Sequence, residues 1–175
     1  MTTALTSSPK NTSYLQASKF LLAFDRIPNT QYFCQTANIP GVNIGQAQIS
    51  SPLLDYFAPG NKITYNPFNI TFAVNGDASS WSDLHNWFRA IASPESFDER
   101  NRLTAMATNK RNLQSYSDAT LTVLSNLNNP VLRVRFINMF PITLSDILFD
   151  TRETADDILI ADASFMFEYF NFEAA

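Results

Sequence analysis

The side chains that could carry out chemistry in this sequence are few and poorly spaced for it. The chain has one cysteine, Cys34, and one histidine, His85. These counts exclude an internal disulfide, a cysteine-based zinc cluster and most metal sites. Asp156 and Asp157 could bind a cation or act as an acid–base pair, but adjacent residues on a strand point to opposite faces, so a solvated turn is the better interpretation. We therefore expect no catalytic site and no metal site.

Cofactor and nucleic-acid signatures are also missing. With only four glycines, the chain has no glycine-rich phosphate loop. The stripe of Phe165, Phe167 and Tyr169 lacks the interleaved basic residues of an RNA-binding sheet. His85 lies without a nucleophile elbow, so we expect a packing or capping residue. Cys34 lies among aromatic residues and is expected to be a small buried hydrophobe. The sequence predicts a protein that is not an enzyme and uses no cofactor.

Composition predicts one folded domain. The chain has 175 residues, is 45% hydrophobic and only 16% charged, and has a formal net charge of −4. Fifteen phenylalanines exclude a disordered protein, and no apolar run approaches the roughly 20 residues needed to span a membrane. The polar start lacks the apolar stretch of a signal peptide. We expect residues 1–13 to form a flexible arm and residues 14–175 to form a single β domain.

The charges are distributed unequally along the chain. Residues 140–175 contain eight acidic residues against one base, Arg152, so the preceding residues carry a small positive charge. A strongly basic face for gripping nucleic acid is not evident. Two interpretations stay open: the acids decorate the solvent side of the late strands, or they form an acidic lining that repels a polyanion.

The first ordered segments predict two strands. Residues 19–24 form a short apolar run that ends in a turn at residues 25–29, and residues 31–36 read as a second strand. Because the two runs are separated by a short turn signal, we expect them to pair as a hairpin.

A long ribbon is predicted next. Residues 42–57 are mostly polar and alternate loosely, Pro59-Gly60-Asn61 is expected to turn the chain, and residues 62–75 form the return strand. Alternation is strict from Phe68 onward, with Asn69 and Thr71 on the opposite face. A long polar ribbon is not stable alone, so it requires a partner chain.

One helix is predicted over Ser79–Ala92, because Asp77, Ser79 or Ser80 can cap its start and Ser93-Pro94 stops it. Helical spacing places four apolar residues on one face, which we expect to pack on the core: Trp81, Leu84, Phe88 and Ile91. The polar segment 95–117 is expected to be a long loop with some helix and to serve as an interaction element.

The last third predicts three further strands. These are residues 119–124, residues 131–137 and a long strand over residues 158–172, with a corner at Phe140-Pro141. About seven strands against one helix predict a mainly β fold, a sandwich or barrel.

Four segments, in this order, resemble the tail tube proteins of contractile-tailed bacteriophages. They are Cys34-Gln-Thr-Ala-Asn-Ile-Pro40-Gly41 entering the ribbon, residues 66–74 after Pro59-Gly60, the helix segment 81–88, and residues 136–150 followed by the aromatic last strand. Together they span residues 20–172.

The resemblance implies two packed antiparallel sheets, a β-sandwich or partial barrel, with one flanking α-helix and the long ribbon. It also implies a structural virion protein that is assembled in the host cytoplasm. Six copies would form a ring, the ribbons would join into a continuous β-barrel, and stacked rings would conduct double-stranded DNA without binding it specifically. Partners would be further copies, the tail sheath, and baseplate or neck proteins, with no membrane. Tube-initiating and tube-terminating rings share this fold and stay open as alternatives.

On that basis the ribbon supplies the candidate lumen and inter-subunit residues. These are Asn43, Gln46, Gln48, Ser50 and Ser51, with Asp55 as the acid and Lys62 expected near the ribbon turn, between rings. A smooth lumen should be polar, with acids at least matching bases. A different class of function, a ligand- or carbohydrate-binding β-sandwich using Trp81, Trp87 and surface tyrosines, is the remaining alternative.

Overall fold

The computed structural model describes residues 14–15, 17–96, 98, 115–150, 152 and 158–174. The expected N-terminal arm, most of the 95–117 segment, and the pair Asp156-Asp157 lie outside the described residues.

The described part of the chain is mainly β, as expected. Its strands are β1 (Phe20–Phe24), β2 (Cys34–Ala37), β3 (Val42–Ile49), β4 (Tyr56–Tyr65), β5 (Phe68–Ala73), β6 (Ser117–Leu124), β7 (Pro130–Leu144), β8 (Ile160–Met166) and β9 (Tyr169–Ala174). Its helices are α1 (Pro28–Tyr32) and α2 (Ser79–Ala92). Every strand pair is antiparallel.

Two sheets share the strand β7. Sheet A has the order β1-β6-β7-β9, and sheet B has the order β7-β8-β5-β2. The first part of β7 pairs with β6 and β9, and the part from Phe140 onward pairs with β8. Asn138, with a φ of 53°, lies where the strand changes sheet. The expected corner at Phe140-Pro141 is wrong, because both residues continue the strand and Pro141 lies opposite Phe165.

The core lies between the inner faces of the two sheets. Phe68, Phe72, Phe136 and Phe165 are completely buried. The rings of Phe68 on sheet B and Phe136 on sheet A have centroids 4.7 Å apart. Burying one such side chain stabilises the fold by roughly 1.5–3 kcal/mol, so this aromatic layer holds the sheets together.

Helix α2 has the predicted bounds and covers one end of this core. The Ser79 backbone N–H donates to Asp77 Oδ1 (3.1 Å) and the Ser80 N–H donates to Asn75 Oδ1 (2.9 Å), so two preceding side chains cap the helix. Ser93, with a φ of 45°, ends it in the left-handed conformation before Pro94. The expected cap by Asp77 is therefore confirmed.

The buried face of α2 differs from the expected stripe. Its buried residues are Ser80, Leu84, Trp87 and Ala90. Of the expected stripe, Leu84 is buried and Trp81 and Ile91 are partly buried and pack against the core, whereas Phe88 is only partly buried. Trp87 takes the place expected for Phe88: its ring packs on Phe165 (centroids 6.1 Å apart), and its Nε1–H donates to Ser115 O (3.1 Å). The two stripes share Leu84, and spacing alone does not choose between them.

The expected hairpin between the first two strands is wrong. Residues 28–32 form α1, β2 pairs with β5, and β1 pairs with β6, with Phe20 opposite Val123. Proline in the first turn favours a helix start. The Gln31 side chain accepts the Phe24 N–H (2.7 Å) and so occupies a donor at the end of β1.

The expected last strand is two strands. β8 and β9 are separated at Phe167-Glu168, where the Glu168 N–H donates to Ile137 O (3.0 Å). Phe165 and Phe167 point inward, but beyond the break the inward side chain is Phe170 and Tyr169 is exposed.

Candidate functional site

The ribbon is a hairpin of β3 and β4, and among the described strands these two pair only with each other. Its turn lies at residues 50–55, where the Ser50 hydroxyl donates to Asp55 Oδ1 (2.5 Å) and the Leu54 N–H donates to the Ser51 hydroxyl (3.3 Å). The turn expected at Pro59-Gly60-Asn61 is wrong, because these residues lie inside β4 and Pro59 pairs with Gln46.

A bulge interrupts the hairpin near its middle. Ile44 pairs with Ile63 and Gln46 pairs with Pro59, so Gly45 alone lies opposite three residues, Gly60, Asn61 and Lys62. A β-carbon added to Gly60 would lie 2.5 Å from the carbonyl oxygen of Gly45. The backbones can approach this closely because position 60 is glycine. Lys62 therefore lies in the bulge, and its expected position near the ribbon turn is wrong.

The two faces of the hairpin differ in chemistry. One face, which we call the core-side face, contains Tyr65, whose ring packs on Phe167 and Phe170 of the core (centroids 5.4 and 5.3 Å apart). Pairing and alternation place the following residues on the core-side face: Val42, Ile44, Gln46, Gln48, Phe57, Pro59 and Ile63. The opposite face, called the outer face, carries Asn43, Gly45, Ala47, Ala58, Lys62 and Thr64, with Ile49 and Tyr56 near the tip.

The candidate lumen residues are consequently split between surfaces. Asn43 and Lys62 lie on the outer face, whereas Gln46 and Gln48 lie on the core-side face. Ser50, Ser51 and Asp55 belong to the tip, where Gln48 Nε2 donates to Asp55 Oδ2 (3.2 Å). All seven are exposed. The structure thus brings together only the tip residues and Gln48.

An apolar stripe on the core-side face extends beyond the core of its own subunit. Val42, Ile44, Phe57 and Ile63 have exposed fractions of 50%, 60%, 60% and 55%. Several large apolar side chains exposed on one face of a hairpin are typical of an interface. This stripe was not predicted from the sequence, because a turn was expected at Pro59-Gly60 and so the pairing of Ile44 with Ile63 was not foreseen.

A second surface, which was not predicted from the sequence, is the outward face of sheet B. Its side chains are held by hydrogen bonds: Thr71 Oγ1–H donates to Asp162 Oδ1 (2.7 Å), and Ser164 Oγ–H donates to Asn69 Oδ1 (2.7 Å). Asp162 is the one charged residue that the described parts of β2, β5 and β8 contribute here. The strict alternation after Phe68 was the available signal, since it placed Asn69 and Thr71 away from the core.

The outward face of sheet B is continuous with the outer face of the hairpin. Asn66, which links β4 to β5, accepts a hydrogen bond from Asn43 Nδ2 (3.1 Å). Because Tyr65 points into the core, its neighbour Thr64 points to the same side as Asn69. Apart from Ile49 and Tyr56 near the tip, the two faces together form one surface of small and polar side chains, which we call the polar surface.

The cysteine, the histidine and the two tryptophans are buried or packed in ways that oppose catalysis or sugar binding. Burial raises the pKa of the Cys34 thiol to about 11, which opposes formation of a reactive thiolate. His85 stacks on Trp81 (centroids 5.2 Å apart), and Trp81 Nε1–H donates to Ser145 O (3.1 Å). Trp87 is only 3% exposed, so its ring cannot serve as a platform for a sugar.

Two further observations concern metals and membranes. In the part of the chain that the structure describes, no three His, Cys, Asp or Glu side chains are grouped to hold a metal ion. No helix among the described residues is long and apolar enough to cross a membrane.

The chain is similar to proteins of phage tails and related injection systems. A family model described as phage tail tube protein matches residues 7–173. The tail tube terminator protein of Enterobacteria phage T4 is 26% identical over 143 residues, which cover 79% of this chain and 76% of that protein.

Solved structures share the fold. A chain of the six-fold symmetrised baseplate of the anti-feeding prophage aligns with a TM-score of 0.64 at 13% identity, covering 94% of this chain and 98% of that one. The tube-terminating cap of the anti-feeding prophage aligns with a TM-score of 0.59 at 15% identity, covering 98% and 99%. By the extent of the family match, this chain belongs to the phage tail tube protein family, and it is a structural component of the virion tail and not an enzyme.

Proposed function

We propose that this protein forms a closed ring of identical subunits in which the β3–β4 hairpin joins neighbouring copies. The observation that carries the proposal is the exposed apolar stripe of Val42, Ile44, Phe57 and Ile63. A two-stranded hairpin is marginally stable alone, and this one has no described partner strand beyond its own two strands. A neighbouring copy that covers the stripe would stabilise the hairpin, and the same contact repeated around an axis closes a ring.

The ring is proposed to be six-fold and to enclose a channel for double-stranded DNA. The likeness to a baseplate chain described as six-fold symmetrised supports this symmetry. The stripe must face protein, so the polar surface on the opposite side of the hairpin is left to face the channel. Its small hydrogen-bonded side chains suit a wall along which a duplex slides, because few phosphates can be neutralised there.

Within the tail, we place this ring at the end of the tube, where it terminates the tube and contacts the sheath and neck proteins. The relative in phage T4 is a tail tube terminator, and the cap of the anti-feeding prophage is described as tube-terminating. The second candidate is a tube subunit or a tube-initiating ring, which the similarity to the anti-feeding prophage baseplate favours.

Two substitutions on adjacent residues of β4 test ring formation. Ile63→Asp places a charge on the apolar stripe, and Thr64→Asp places the same charge on the polar surface. We expect Ile63→Asp to give a folded monomer in light scattering and Thr64→Asp to keep the ring. Equal oligomer sizes for the two variants would overturn the role assigned to the stripe.

Electron microscopy of the purified protein tests the position in the tail. A terminator should form single rings that bind to the ends of separately prepared tubes and do not polymerise alone. Long tubes formed by this protein alone would instead assign it as the tube subunit.

A further inference from the structure

We propose that Lys62 forms a belt of positive charge in the channel that contacts the phosphates of duplex DNA. This inference rests on the proposed ring, and it gives one residue of the channel wall a binding role. A channel wall with such a belt differs from a uniformly inert wall, because it attracts DNA at one level of the hairpin.

The geometry of the bulge directs the inference to Lys62. The ladder is interrupted here, because Gly60, Asn61 and Lys62 together oppose the single residue Gly45. The close approach of Gly45 and Gly60 fixes the position of the bulge. Lys62 precedes the core-side residue Ile63, so its side chain leaves from the polar surface.

The charge of Lys62 is available to a ligand. Among the described residues, Lys19 donates to Asn126 O (2.8 Å), Arg135 pairs with Asp118 (3.1 Å) and Arg152 pairs with Asp150 (2.8 Å). Lys62 is exposed and makes no such bond within the described part of the chain.

No other charge on the hairpin neutralises Lys62. The only other charged residue between Val42 and Tyr65 is Asp55. Its carboxylate is held at the tip by Ser50 and Gln48, beyond the bulge. Six copies would therefore place six lysines at one height of the channel.

On the polar surface, Lys62 and the acidic residue Asp162 lie at different places. Asp162 lies on the sheet B part of the surface, where it accepts a hydrogen bond from Thr71 (2.7 Å). A ring would thus present one belt that attracts phosphates and a second belt that repels them. Such a pair of belts would hold a DNA end at a defined level, while the repulsive belt limits the total affinity.

The test measures binding of purified rings to an end-labelled linear duplex by fluorescence anisotropy at several salt concentrations. Full engagement of six lysines would give a slope of log K against log salt of about −5, since each neutralised phosphate contributes about −0.9. We expect Lys62→Gln to weaken binding at low salt by at least about tenfold and to flatten this slope. Arg133→Gln is the matched control, because Arg133 is exposed on sheet A and its replacement removes the same charge from another surface.

Light scattering on each sample separates this inference from the proposed ring. If wild-type and Lys62→Gln rings both form and bind the duplex equally, or if neither binds at low salt, the Lys62 belt is wrong while the ring stands. If the wild-type protein is a monomer, both the ring and the belt are wrong. Equal weakening by Lys62→Gln and Arg133→Gln would indicate non-specific surface binding and would also overturn the belt.

Discussion

Gly45 and Gly60 lie opposite each other so closely that strand β4 has no room for a β-carbon at Gly60. A β-carbon on Gly60 would be 2.5 Å from the Gly45 carbonyl oxygen and 2.9 Å from its carbonyl carbon, both of which are backbone atoms. Neither glycine has a positive φ, so the restriction is one of space. The bulge that presents Lys62 therefore depends on this contact.

Gly60→Ala should consequently disrupt the hairpin. Forcing a methyl group against backbone costs about 1–3 kcal/mol, and we expect a lower free energy of unfolding in urea together with loss of the ring in light scattering. Gly76→Ala is the control, because a β-carbon there would meet nothing within 4 Å. If Gly60→Ala matched Gly76→Ala in both measurements, the bulge would not require glycine.

A second prediction concerns Asn138, at the point where β7 changes sheet. Its backbone N–H donates to Asp118 Oδ1 (3.2 Å), its side chain donates to Glu168, and its φ is 53°. Asn138→Ala and Asn138→Gly both remove the side-chain bond, but only alanine resists the left-handed conformation. We expect the alanine variant to be less stable than the glycine variant by about 1 kcal/mol, measured by urea unfolding. Equal stabilities would show that the strand relaxes to another conformation.

Trp87 and Phe88 provide a matched pair on α2. Trp87 is buried and bonded to Ser115 O, whereas Phe88 is only partly buried. Trp87→Ala should lower the free energy of unfolding by about 3–5 kcal/mol, and Phe88→Ala by half of that or less. Thermal and urea unfolding measure both values. A cost for Phe88→Ala as large as that for Trp87→Ala would restore the stripe expected from the sequence.

The Cys34 thiol should react slowly in the folded protein. Burial raises its pKa from 9.0 to about 11, so at pH 8 the thiolate is on the order of 100-fold rarer than in the unfolded chain. We expect slow alkylation by iodoacetamide in the native state and fast alkylation in urea. Fast native alkylation would contradict the burial of this residue.

The same shift makes stability depend on pH. The unfolded thiol loses its proton as the pH rises past about 9, whereas the folded thiol keeps its proton until about 11. The contribution of Cys34 to stability is thus complete below pH 9 and is lost as the pH rises toward 11. Cys34→Ser does not titrate in this range. The difference in unfolding free energy between wild type and Cys34→Ser should therefore decrease between pH 8 and pH 11.

Proline at position 48 tests whether the backbone hydrogen bonds of β3 are needed for assembly of the ring. Gln48 lies opposite Phe57 in the hairpin. The substitution Gln48→Pro removes the backbone N–H of residue 48, whether that N–H donates to β4 or to a neighbouring copy. We expect loss of the ring with the sandwich still folded, as judged by light scattering and circular dichroism. Gln48→Ala keeps the backbone donor and should keep the ring. An unchanged oligomer for the proline variant would mean that the hairpin takes no part in assembly.

The sequence predicted most reliably the elements whose bounds depend on residues within the same segment. Helix α2 has the expected bounds because Asp77 caps its start and Ser93-Pro94 ends it, and these signals lie within the segment itself. The alternation after Phe68 likewise predicted β5 and its buried face. The mainly β class followed from the number of such strands.

The errors arose where distant parts of the chain decide the structure. Pro59-Gly60 has the composition of a turn, but Gly60 is glycine because Gly45 lies against it. Residues 31–36 read as a partner for β1, yet β1 pairs with β6 about a hundred residues later, and Gln31 occupies one of its donors. The candidate lumen residues were expected on one surface and lie on several, because the register of β3 on β4 cannot be read from either strand alone.

The shared strand β7 has a consequence for the order in which the chain folds during synthesis. The hairpin of β3 and β4 is local and can form early, whereas sheet A is complete only when β9, at the C-terminal end of the described chain, pairs with β7. A nascent chain therefore exposes the apolar stripe before the two sheets have folded, and so before a neighbouring copy can bind correctly. Late, long-range pairing of this kind folds slowly and exposes aggregation-prone surface. Truncated or stalled chains should be the main source of misassembled material, and slowing translation of the hairpin should not reduce it.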